Sequence, residues 1–104
     1  MTTIPGFQFD TDFRTLSGPD GKTTLQGGEA KLLAALVQSF GRLVRHERIE
    51  YAIWGDDPDG GPLEMRRNVS VRMHFLRRKL LSVGAPVKIV NVHGSGFVLR
   101  GIDA

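Results

Sequence analysis

The spacing of apolar residues changes along the chain, and each change predicts a new element. Phe7-Gln8-Phe9-Asp10 alternates, Phe13-Arg14-Thr15-Leu16-Ser17 alternates again, and Lys22-Thr23-Thr24-Leu25-Gln26 follows with β-branched residues. Gly18-Pro19-Asp20-Gly21 is dense in turn formers. Short alternating runs divided by turns predict an antiparallel sheet over residues 7–26, covered on one face and wet on the other, with Gly27-Gly28 ending it. From Glu29 to Phe40 the period lengthens. Leu32, Leu33, Leu36, Val37 and Phe40 form the stripe of an amphipathic helix over about 29–40. Glu29 lies in its first turn, where the helix dipole favours an acid, and Gly41 is its stop.

A second helix is predicted over 46–54, with Ile49, Ala52 and Ile53 inward and Gly55 ending it. Three glycines and two prolines in the eight residues Gly55 to Pro62 forbid helix there. The longest helix is predicted over 64–81. Its apolar positions Met65, Val69, Met73, Leu76 and Leu80 fall within roughly 80° of arc. Arg67, Val71, His74 and Arg78 lie opposite, flanked by Ser70, Phe75 and Arg77, while Arg72 projects beside the apolar stripe. Two β-rich runs, Val87–Val92 and Phe97–Arg100, joined by His93-Gly94-Ser95-Gly96, predict a hairpin over 87–100. Val71 and Phe75 belong to the outward face of the third helix or are partly covered by this hairpin.

Composition narrows the function. A chain of 104 residues has room for one domain spanning 1–104, and 40% hydrophobic with 24% charged residues is ordinary for a globular fold. With no cysteine, thiolate zinc sites and cysteine nucleophiles are excluded. The longest apolar run, Leu32–Val37, is too short for a bilayer, and Met1–Asp10 does not read as a secretory leader. The expected setting is cytoplasmic, with no membrane partner.

Charge is distributed unevenly. Residues 1–63 hold six Lys/Arg and nine Asp/Glu, net −3, whereas residues 64–104 hold eight and two, net +6. Glu64–Ser82 alone carries six basic residues against one acid. A concentrated cationic block suggests an anionic partner, nucleic acid first, against the plainer reading of a solvated helix face.

Other chemistry finds little footing. His46, His74 and His93 are scattered and lack partners at metal-ligand spacing, so neither metal nor other cofactor is expected. Asp56-Asp57-Pro58-Asp59-Gly60 does not complete a calcium loop, and Gly94-Ser95-Gly96 opens a strand rather than a dinucleotide-binding helix. No nucleophile–base or paired-carboxylate arrangement stands out, so no catalytic residue is expected. Trp54 is expected to pack the second helix.

Three helices, the last with a basic outward face, followed by a β-hairpin, predict an α+β winged helix-turn-helix with an N-terminal antiparallel sheet. Such a helix can fit the DNA major groove, with arginines for phosphates or guanine and apolar groups for thymine methyls. The chain resembles the OmpR/PhoB-type winged-helix DNA-binding domains, the effector domains of bacterial two-component response regulators. The resemblance is carried by Leu25-x-x-x-Glu29-x-x-Leu32-Leu33-x-x-Leu36, Gly41–Arg45, Ile53-Trp54-Gly55, Arg67–Leu80 and Ile89–Phe97. It implies a bacterial transcription regulator that binds double-stranded DNA sequence-specifically. By matching position, Arg67, Val71, Arg72, His74, Phe75 and Arg77 face DNA, Asn91 holds backbone, and His93 sits at the wing tip. Arg67, Ser70, Val71 and His74 are then expected at base edges, with Arg72, Arg77, Arg78 and Asn91 on phosphates. The resemblance also implies that the loop Asp56–Leu63 can touch RNA polymerase. Two copies are expected to share tandem half-sites, as a homodimer on DNA.

Departures are visible as well. His74 and Phe75 stand where the family often has basic residues, Ser70 where it often has Asp, and His93 where it often has Arg. There is no room for the usual receiver domain, so the expectation is a stand-alone or excised effector domain. The rival reading is a winged-helix adaptor that binds protein instead of DNA.

Overall fold

A computed structural model describes residues 2–4 and 6–102. Four short strands come first: β1 (Thr2–Ile4), β2 (Phe7–Asp10), β3 (Thr15–Gly18) and β4 (Gly21–Thr24). They form one antiparallel sheet in the order β1-β2-β3-β4. Then come α1 (Gly27–Gln38), β5 (Leu43–Arg45), α2 (His46–Trp54), α3 (Met65–Ser82), β6 (Val87–Val92) and β7 (Gly96–Gly101). The last three strands make a second antiparallel sheet, ordered β5-β7-β6. This is the α+β winged helix-turn-helix architecture.

The differences from the sequence reading have local causes. The alternating run beginning at Phe13 is a turn until Thr15. The Asp10 carboxylate accepts the N–H groups of Asp12 (3.0 Å) and Phe13 (3.3 Å), and Arg14 takes φ +54°. A short acceptor that satisfies two backbone donors competes with the strand ladder, and Phe13 is left 76% exposed. Gly27-Gly28 opens α1 rather than closing the sheet, because Glu29 Oε1 accepts the N–H of the N-cap Gln26 at 2.8 Å.

At its other end α1 stops at Gln38. Phe40 therefore leaves the predicted stripe and is 40% exposed. Gly41, at φ +80°, turns the chain and donates to the Leu99 carbonyl at 2.8 Å. That turn delivers β5 to the edge of the hairpin, where Leu43 pairs with Val98 and Arg45 with Gly96. The predicted hairpin is thus two strands of a three-stranded sheet, with β7 in the middle.

A single buried cluster joins both sheets and all three helices. It contains Phe9 and Leu16 from the first sheet, Leu32, Leu33 and Leu36 from α1, Ile49 from α2, Val69, Met73, Leu76 and Leu80 from α3, and Phe97 and Leu99 from β7. Each fully buried side chain of this size contributes about 1.5–3 kcal/mol. Trp54 packs against the cluster, whereas Ala52 is half-buried and Met65 marks only the fringe of the α3 stripe. Among the described residues no helix is long and apolar enough to cross a membrane.

Candidate nucleic-acid interface

Burial of one side of α3 decides what the other side shows. With Val69, Met73, Leu76 and Leu80 inside, Arg67, Ser70, Val71, His74, Phe75, Arg77 and Arg78 are all exposed. The helix starts without a side-chain cap and with no acid in its first turn. Arg66 and Arg67 sit instead at the positive end of the helix dipole, an unfavourable place for a cation. Arg66 is compensated by Glu50 at 2.9 Å and Glu47 at 3.3 Å on α2. Arg67 has only Glu64 at 3.9 Å, with 80% of its side chain exposed. Among the described residues Arg78 enters no ion pair. A cation placed against the dipole and left nearly unpaired is a local inconsistency of the kind that marks a binding surface.

Two of the predicted arginines are engaged within the protein. Arg72 is half-buried. Its Nε donates to Asn68 Oδ1 at 2.6 Å, and its guanidinium lies 5.9 Å from the centre of the Trp54 ring, beside Gly28. Arg77 donates from Nη2 to the Ile89 carbonyl at 2.9 Å, so it ties α3 to β6. Both arginines, expected on phosphates, thus spend one donor inside the protein. The spacing along α3 shows which side each arginine leaves from, but not the tertiary acceptor it meets.

Val71 and Phe75 are both exposed. With Leu63, Arg67, Gln26 and Glu29 they line an open groove of about 730 Å³ between α3, the start of α1 and the end of the α2–α3 loop. Ser70 turns its hydroxyl back to the Arg66 carbonyl at 3.1 Å. His74 and Phe75 rings meet edge-on, 5.4 Å between centroids.

The wing brings Asn91 and His93 to the exposed end of the second sheet, with Gly94 at φ +74° forming its tip. It also reveals a cationic pair not singled out in the sequence. Lys88 and Arg100 are exposed and directly paired across β6 and β7. Like charges facing each other across strands are destabilising unless an anion lies near. Their equal distance from Gly94 was the available sequence signal. The loop 56–63 is exposed apart from half-buried Gly61 and ends in a fully exposed Leu63. Among the described residues no group of three or more His, Asp or Glu gathers at metal-binding range.

Comparison with known proteins agrees with this geometry. The family described as "Transcriptional regulatory protein, C terminal" matches residues 20–99. No curated protein matches the chain significantly. Among solved structures, the C-terminal domain of the nisin resistance regulator NsrR, a lantibiotic response regulator, is 25% identical. It covers 97% of this chain and 98% of its own, with a TM-score of 0.78. The DNA-binding domain of the response regulator AdeR, in complex with an intercistronic region, is 21% identical over 96% of this chain and 99% of its own, at TM-score 0.76. The Klebsiella pneumoniae RstA DNA-binding domain, in complex with the RstA box, is 21% identical over 95% of both chains, at 0.72. The matched segment runs from the first sheet through α3 into β7, and the fold around it is a winged helix. The chain therefore belongs to the C-terminal domains of transcriptional regulatory proteins, the OmpR/PhoB-type effector domains, a class of DNA-binding regulators and not of enzymes.

Proposed function

We propose that this chain binds double-stranded DNA with sequence preference and regulates transcription, laying α3 in the major groove and the β6–β7 turn over the adjoining minor groove. The observation that carries this reading is the division of α3 into a buried apolar side and an exposed side bearing Arg67 and Arg78. One α-helix fits the B-form major groove, where base edges are distinguishable. The AdeR and RstA domains, which share this fold, were solved in complex with an intercistronic region and with the RstA box.

In this reading Arg67, Ser70, Val71 and His74 approach base edges. Arg78 and Asn91 hold phosphates, and Arg72 and Arg77 offer phosphates only the donors that their internal bonds leave over. His93 lies near the minor groove, whose negative potential attracts a cation. The exposed loop Asp56–Leu63 serves a contact with RNA polymerase. Tight binding takes two copies on neighbouring half-sites, since one copy makes few contacts.

Titration of a labelled duplex at low and high salt tests the reading. Affinity should fall with a log–log slope of about −0.9 for each phosphate neutralised. Absence of any duplex binding at about 50 mM salt would return the chain to the adaptor reading.

A further inference from the structure

The exposed side of α3 combines two surfaces that ask for different things. Arg67 and Arg78 call for a polyanion. Between them Val71 and Phe75, one helical turn apart, are 53% and 47% exposed. Phe75 is buttressed by the edge-on ring of His74 and lines one groove with Val71 and Leu63. If the cations draw this face onto DNA, the apolar pair is pressed against whatever the duplex presents there. Phosphates and sugars sit at the rim of the groove. On its floor every base edge is a pattern of donors and acceptors, with one apolar feature, the C5-methyl of thymine. A guanine or cytosine edge beneath Phe75 would lose its water and gain no partner.

We infer that Phe75, together with Val71, is a specificity-determining side chain that reads thymine methyls, so that the preferred duplex places A·T pairs beneath the middle of α3. The inference rests on the DNA-binding reading above. Ser70 fits the same target. Its hydroxyl proton is given to the Arg66 carbonyl, which leaves the oxygen as an acceptor for the exocyclic amine of adenine.

The test removes a methyl group and nothing else. The full chain selects duplexes from a random pool, and each thymine of the selected sequence is replaced in turn by deoxyuridine. Loss of one buried methyl should weaken binding by about 4-fold at one or two positions. Phe75→Ala or Val71→Ala should abolish the difference between thymine and deoxyuridine at its own position. The wild-type series decides the matter even where an alanine variant folds poorly. If a duplex is selected and every deoxyuridine version binds as tightly as the parent, the thymine reading is overturned and DNA binding stands. A deoxyuridine loss that persists in both alanine variants also overturns the assignment to these side chains. If the pool yields no retained duplex, both readings fall together.

Discussion

Lys79 Nζ lies 2.7 Å from Glu29 Oε1, and this contact joins the last turn of α3 to the first turn of α1. The same carboxylate oxygen accepts the Gln26 N–H at 2.8 Å, and the same ammonium donates to the Thr24 carbonyl at 3.0 Å. Glu29 is 4% exposed. Each charge also sits at the helix end that its sign favours. One oxygen therefore caps α1 and fixes the end of the helix that carries the interface.

Glu29→Ala is expected to lower stability by about 2–4 kcal/mol, since it uncaps α1 and leaves Lys79 facing a partly buried space. Glu29→Gln keeps an acceptor oxygen at the same place and should lose less than half as much. Urea unfolding midpoints of the two variants measure the difference. Equal losses would mean that charge, not the hydrogen-bonded cap, holds the junction.

Arg67 and Arg78 are expected to fail in different ways. Arg67→Ala should weaken the preferred site by about 1–3 kcal/mol and relax preference at one base pair. Arg78→Ala should weaken all sequences alike and make the salt slope shallower by about 0.9. Affinities over a panel of operator variants at two salt concentrations separate these outcomes. Matching behaviour of the two variants would refute the division of roles.

Gly96 and Gly94 stand at the same turn but under different constraints. A Cβ on Gly96 would overlap the Val44 carbonyl oxygen and come within 2.8 Å of Arg45 Cα, where β7 meets β5. Gly96→Ala is therefore expected to cost about 2–3 kcal/mol through overpacking against backbone. Gly94, at φ +74°, has open space around it, so Gly94→Ala should cost only the left-handed penalty, about 1 kcal/mol. Thermal melts of both variants check the order, and the reverse order would place the strain at the tip.

Footprinting at saturation should protect two half-sites with centres about one turn of duplex apart, roughly 10 base pairs. A single protected half-site would show that one copy suffices.

Much of the fold was legible because its periods are strong. The stripes of α1, α2 and α3 and the turn between β6 and β7 lie in the spacing of Leu, Ile, Val, Met and Gly. β1 was missed because three residues are too few to carry a pattern. β5 was missed for the same reason, and its identity comes from the Val98 and Gly96 edge it joins. The start of β3 was misread because a carboxylate two and three residues away outcompetes alternation. Of the predicted interface, the exposed arc of α3 could be read from the sequence, but the engagement of Arg72 with Asn68 and Trp54 and of Arg77 with Ile89 could not.

By itself, the sequence determined which side of each helix is apolar and where the positive charge concentrates, because both depend on positions a few residues apart in a regular helix. Only the tertiary structure decided which arginines stay free, that Lys88 and Arg100 face one another, and that Glu29 answers Lys79. Long side chains choose partners by distance in space, and packing brings together residues from distant parts of the chain whose meeting no local period encodes.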